Sequence, residues 1–225
     1  RSKEKSCLDP MTTHLVVNRL RRTEKVLGAI ARGIWILDKA HLYQTLKQSS
    51  WIDESKFDLG STIKNPDGQI YIGPKLIRNE RSTVQGGIFK SWKAVILIED
   101  RNLKGKYANI LRLGNAIVHQ WTVQHLVEMT TEQLNSSLTH VFTDAKIFTT
   151  GGSLDPLFSV MDKTSRVKFL SYTYVDEFLT TQTSPDDGLF DVTNENMIVL
   201  HQNYRDIHDD DQVHDRKILG SPHLR

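Results

Sequence analysis

The chain has a single cysteine, Cys7, in 225 residues. It can form no internal disulfide and has no cysteine pair for zinc, a usage that suits a reducing compartment such as the nucleus or cytosol. No apolar run approaches the ~18 residues of a membrane-spanning helix, and the opening RSKEKSCLDP has no apolar core of a secretory signal. It also lacks an initiator methionine, so a fragment is expected. Apolar residues make up 38% of the chain, enough for a core but a small one, and part of the chain is expected to stay unpacked. Enzyme signatures are missing too. GGIFKSWK does not have the GxxxxGK[ST] spacing of a phosphate-binding loop, and neither GxSxG nor HExxH occurs. No enzymatic activity and no cofactor are expected.

Net charge is only +2, which argues against direct nucleic-acid binding by the molecule as a whole. The charge is unevenly placed. Lys and Arg against Asp and Glu number 11 and 7 over residues 1–61, 14 and 11 over 62–181, and 4 and 9 over 182–225, so a mildly basic body precedes an acidic tail. Within the body, Arg19, Arg21, Arg22 and Lys25 crowd where an apolar run ends and a helical pattern begins.

LVV (15–17) predicts a short buried strand. Val26, Leu27, Ala29 and Ile30 recur at helical spacing over 23–32, and Gly33 is a helix stop. IWIL (34–37) predicts a second strand, and Asp38 a cap for a helix over 39–48 with Leu42, Tyr43 and Leu46 facing inward. Strand, helix, strand, helix with short joints implies parallel strands. Residues 61–90, with Pro66, Gly68, Gly73, Pro74, Gly86 and Gly87, have the composition of a linker. A second unit follows over 91–181. WKAVILIED (92–100) is a strong strand signal, followed by a helix over 104–113, strands in AIVHQW, THVFTD and VKFLSY, and a last helix at YVDEFL. Beyond Thr181 the apolar spacing is lost, and 182–225 reads as a disordered acidic tail.

The stretch RTEKVLGAIARG with the following WIL resembles the RTxKxxxxxAxG–W motif of phosphopeptide-binding tandem BRCT pairs. THVFTD and VKFLSYTYVDEFL occupy the corresponding places of a second copy. The resemblance implies an α/β fold of two modules, each a small four-stranded parallel sheet flanked by helices. The first module (1–60) is N-terminally incomplete, because nothing before Thr12 supplies its first strand and helix. The Ser or Thr and the Gly that the family places at the end of that strand, in its phosphate pocket, lie outside this sequence. The aromatic residue of the last helix, usually Trp in the family, falls on His41 and on Tyr174.

By the same resemblance, Lys25 contacts the phosphate, Arg22 reads the peptide backbone beyond the phosphoserine, and Thr23 belongs to the same motif. Leu27 forms part of an apolar wall between modules. The physics is consistent with this. A helix start offers unpaired N–H groups and a partial positive charge, and a lysine in the first turn adds a full one. The competing reading is that these are solvated surface charges, which is how Arg19 and Arg21 are read. His41 is read as a core histidine, and Trp35 and Trp92 as packing residues. HDDDQVHD (208–215) has ligand-type side chains but no turn glycine to fix their geometry, so no dedicated metal site is expected. SPDD (184–187) and SPH (221–223) are candidate phosphorylation sites.

The expected function is a phosphoserine-peptide-binding scaffold of the DNA-damage response in the nucleus. Its implied partners are a phosphorylated protein, a ubiquitin ligase acting at damaged DNA, and subunits of a genome-maintenance complex. The alternatives are a phosphate-independent protein–protein interaction module and weak, salt-sensitive contact of the basic body with DNA.

Overall fold

The computed structural model describes residues 8–9, 11–61, 63–64, 70–71, 73–83, 87–144, 155–164, 166–181 and 185–192. The first unit is β1 (His14–Val17), α1 (Glu24–Ala31), β2 (Trp35–Asp38) and α2 (Ala40–Gln48), followed by two short 3-10 turns, Glu54–Phe57 and Leu59–Ser61. β1 and β2 pair in parallel, with Leu15 beside Ile36 and Val16 beside Leu37. Each predicted boundary has a local cause. Thr23 caps α1 by accepting the Val26 N–H, and Gly33 leaves the helix at φ 61°. Asp38 ends β2 and accepts the Ala40 N–H at 2.7 Å, opening α2.

Between the units lie a pair of two-residue antiparallel strands, β3 (Ile63–Lys64) with β4 (Ile70–Tyr71), and a helix, α3 (Gly73–Thr83). The stretch with linker composition thus carries a helix, in which Pro74 takes the first-turn position where its missing N–H costs nothing.

The second unit runs β5 (Lys93–Leu97), α4 (Arg101–Leu113), β6 (Ile117–His119), α5 (Val123–Glu128), α6 (Thr131–Ser137), β7 (His140–Thr143), α7 (Asp155–Asp162), β8 (Lys168–Ser171), α8 (Thr173–Thr180) and α9 (Asp187–Phe190). Its sheet has the order β6-β5-β7-β8, all parallel. Strand periodicity splits β5 between two cores. Ala94 and Ile96 face a cluster shared with the first unit, while Val95 and Leu97 face Leu126, Leu134 and Leu157 of α5, α6 and α7. Asp100 starts α4 earlier than the apolar spacing suggested, because its carboxylate accepts from Asn102 and Leu103 N–H.

Two expectations are corrected. Leu42, Tyr43 and Leu46 do not point inward; all three are exposed, and His41 alone is buried in α2. The stretch beyond Thr181 is not uniformly structureless. Asp186 caps α9 through the Gly188 N–H, Asp191 bridges back to Leu170, and Val192 is buried. A single turn with two anchors leaves no helical period to detect. HDDDQVHD and SPH lie outside the described residues, as do Cys7 and Ser184 of SPDD.

Candidate functional site

The basic cluster of the sequence lies at the start of α1, where the two units meet. α1 packs across α4, with α3 and α8 alongside. Six consecutive α1 residues, Val26 to Ala31, are buried, far more than one amphipathic stripe requires, because the helix is covered on several sides. Close approach depends on Gly28. A Cβ there would lie 2.7 Å from the Leu113 methyl of α4.

The four candidate residues have different surroundings. Thr23 is committed to the helix cap, its Oγ1 accepting the Val26 N–H at 3.4 Å. Leu27 is fully buried and belongs to the core shared by the units, together with Ile110, Val175 and Leu179. Arg22 stands just before the cap and reaches the second unit, its Nη2 donating to Glu177 Oε2 of α8 at 2.9 Å. Lys25 is half-buried in the first turn, not fully exposed, and it has no hydrogen-bond or ion-pair partner among the described residues. The neighbouring acid, Glu24, is held across the interface by the Asn109 side-chain amide at 3.0 Å. The start of α1 thus presents one uncommitted lysine beside an ion pair and an amide contact that tie it to α8 and α4.

Sequence reasoning brings Arg22, Thr23 and Lys25 together correctly as neighbours, but it does not reach Glu177 or Asn109. Nothing in the chain marks residues 155 and 85 positions away as partners. It also misses a second clamp. Arg78 of α3 pairs with Asp58, whose side chain is buried, and lies over the Trp35 ring at 3.8 Å. Asp58 Oδ1 further accepts the Gly60 N–H.

His41 is fully buried, with Nε2 at 3.1 Å from the Ile52 carbonyl and edge contacts to Trp51 and Phe57. It is a core histidine, as expected. Trp92 likewise packs, against Phe89, Phe178 and the ring of His140. Burial, then the nearby Lys168 ammonium, lower the His140 pKa to about 4, against a smaller opposing pull from Asp187.

Two units of parallel strands and flanking helices, packed through α1 against α4 and α8, make this a mixed α/β molecule, with a four-stranded parallel sheet in the second unit. The chain is homologous over 110 residues to the human SMC5-SMC6 complex localization factor protein 1, with 34% identity across 47% of this chain. The mouse protein of that name is 33% identical over the same length. Mouse microcephalin is 43% identical over 52 residues, 23% of this chain and 6% of that protein. The chain spans about a tenth of the length of the curated localization factors it matches. No protein-family profile matches it. Among solved structures it is similar to the S. pombe Brc1 BRCT5-BRCT6 domains, with TM-score 0.49 and 19% identity, covering 76% of this chain and 78% of that one. It is also similar to Rtt107p in complex with a phosphorylated histone, with TM-score 0.46 and 11% identity, covering 75% and 70%.

Proposed function

We propose that this chain is a non-enzymatic, phosphoserine-peptide-binding scaffold that acts in the nucleus and recruits partners to chromatin after DNA damage. The observation that carries it is the uncommitted Lys25 in the first turn of α1, at the seam of the two units, within the RTEK motif. An anion there meets the helix start and a full positive charge. Arg22, tied to Glu177, stands beside Lys25 at the same helix start, where a peptide backbone would pass. Leu27 acts from within the core by fixing the seam and does not touch the peptide directly. The nuclear setting and contact with genome-maintenance complex subunits are supported by homology to the SMC5-SMC6 complex localization factors, while the phosphorylated partner, with a ubiquitin ligase at damaged DNA as its candidate, rests on the resemblance of the RTEK motif. Fluorescence polarisation with a phosphoserine peptide library and its dephosphorylated counterpart tests the reading. Tighter binding of phosphorylated peptides supports it, and equal affinity for both sets overturns it.

Two observations favour a second reading, a phosphate-independent interaction module. The first unit exposes large apolar side chains on α2, and Arg22 is engaged within the molecule. In that case Lys25→Glu leaves partner recovery in a pull-down unchanged.

A further inference from the structure

Both units close in the same way. Beyond the helix that follows β2 or β8, the chain turns back onto that strand. Asp58 bridges Leu37 of β2, and Asp191, the same number of residues on, bridges Leu170 of β8. In the first unit the return is locked. The Asp58 side chain is 1% exposed and is paired with Arg78 of α3, itself 13% exposed. A pair so deeply placed is little screened by solvent.

In the second unit the return is residues 185–192, and it is held more lightly. Its ion pair joins Asp187 to Lys168 at 2.6 Å, with side chains 42% and 48% exposed, so solvent and salt weaken it. α9 is a single turn. The other contacts are few and specific. Asp187 also meets the Tyr174 hydroxyl. Phe190 stands edge-on to the Tyr174 ring at 5.4 Å. The Val192 N–H donates to the Phe169 carbonyl at 3.3 Å. Phe190 packs against the core cluster on one side of the sheet and Val192 enters the cluster on the other, so the segment straddles the edge of β8. A short segment held by so few contacts opens at low free energy. Tyr174, Phe169 and Leu170 beneath it belong to the buried core, and opening would leave them beside an unpaired strand edge.

We propose that the edge of β8 and the adjoining end of α8 form a docking site for a partner peptide, which residues 185–192 occupy in cis. The peptide carries an acid, an aromatic residue three positions on and an aliphatic residue two beyond that. The chain itself displays this chemistry: DGLFDV sets Asp187 on Lys168, Phe190 on Tyr174 and Val192 beside Phe169. An incoming peptide takes the antiparallel direction of the Asp191 bridge. Main-chain hydrogen bonds to the strand edge then supply affinity, and the three side chains supply specificity. The tethered segment competes at an effective concentration of about millimolar. It therefore excludes weak ligands and yields to a partner that binds more tightly. A second copy of the chain fits less well, because it can offer its own segment only by giving up the same contacts at home.

The test uses the full 225-residue chain, native and with Asp187→Lys or Lys168→Glu. The probes are the synthetic peptide PDDGLFDV, the sequence of residues 185–192, and the same peptide with Asp187→Lys. Binding is read by NMR titration at the backbone amides of Lys168 to Ser171. In the Asp187→Lys chain the segment is repelled by Lys168, so the site should bind the acidic peptide at least about tenfold more tightly than in the native chain. The Lys168→Glu chain should prefer the lysine peptide. Phe190→Ala, which releases the segment without a change of charge, should also bind the acidic peptide more tightly than the native chain does, and it decides the matter if either charge variant melts early. The proposal is overturned if no variant shows saturable perturbation of these amides, or if the peptide preference does not invert with charge at position 168. It is equally overturned if the amides of Gly188 to Val192 in the native chain exchange as slowly as those of β7. Concentration-dependent dimerisation of the native chain that perturbs the β8 amides without peptide overturns it in favour of a second copy as the occupant.

Discussion

Lys25 and Arg22 sit three residues apart, yet the structure assigns them different risks on mutation. Lys25 contributes no hydrogen bond or ion pair to the fold, so Lys25→Glu should leave the thermal melt unchanged, and an acid in the first turn even suits the helix dipole. If Lys25 holds phosphate, the loss of a charged hydrogen bond costs about 1.5–3 kcal/mol and repulsion adds to it, so phosphopeptide affinity should fall more than about tenfold. A melt lowered by several degrees alongside lost binding would make Lys25 structural. Arg22 behaves oppositely. Its partner Glu177 retains only 24% of its side-chain exposure, so Arg22→Ala strands a largely buried carboxylate at the seam. The expected loss is about 1–3 kcal/mol of stability. A double-mutant cycle with Glu177→Gln measures the coupling, and additive single losses would show that the pair does not join the units.

Among the elements, β7 carries a pH dependence of the second sheet. His140 is neutral when folded, with its pKa lowered from 6.5 to about 4 chiefly by burial. Between those values the unfolded chain binds more protons than the folded one, so stability rises with pH across that window and is lost on acidification through it. Full depression by about 2.5 units corresponds to on the order of 3 kcal/mol. Denaturant midpoints measured from pH 7 to pH 4 should fall, and His140→Phe, which keeps a ring against Trp92, should flatten that part of the curve. An unchanged slope would assign the pH dependence to other groups. The elements also show what a sequence reveals. β1, α1, β2, β5 and β8 were legible because their apolar spacing and caps are local. The outward face of α2 was not. Leu42, Tyr43 and Leu46 have the spacing of a buried stripe, and spacing alone does not say whether a neighbour is present to bury them. The short helices α5, α6 and α9 rest on side-chain contacts at their first turns, from His125 to the Thr122 N–H and from Thr130 and Asp186 to helix N–H groups, over too few turns to show a period. At the candidate site the motif residues were legible as one cluster, while Glu177 and Asn109 were not, since only folding brings them to α1.

Across the whole molecule, the two units differ in what they can do alone. The second owns a four-stranded parallel sheet with helices on both faces and a core cluster, around Val95, Val141 and Leu157, made only of its own residues. The first owns two short paired strands and an eight-residue α1 whose buried side chains lie in a cluster completed by Ile110, Leu111, Val175 and Leu179 of the second. An isolated helix of that length is marginal in water, and two strands alone do not make a stable sheet. The seam itself leaves little room: a Cβ on Gly73 would lie 2.6 Å from the backbone carbonyl oxygens of Leu179 and Thr181, so Gly73→Ala should force α3 off α8. Overpacking of this kind costs about 1–3 kcal/mol, to be read as a lowered melting temperature. Cutting the chain exposes the same asymmetry more completely. A fragment of residues 87–192 should melt cooperatively, at a lower temperature than the full chain because the α4 and α8 faces that bury α1 become exposed. A fragment of residues 1–61 should show no cooperative transition by circular dichroism. Each of Val26, Leu27 and Ile30 forfeits about 1.5–3 kcal/mol of burial when α4 and α8 are removed, more than a unit of this size holds in reserve. Adding the 87–192 fragment in trans should then restore helical signal to 1–61 in a saturable manner. A sigmoidal melt from 1–61 alone would show instead that the first unit carries its own core and that the seam joins two independent domains.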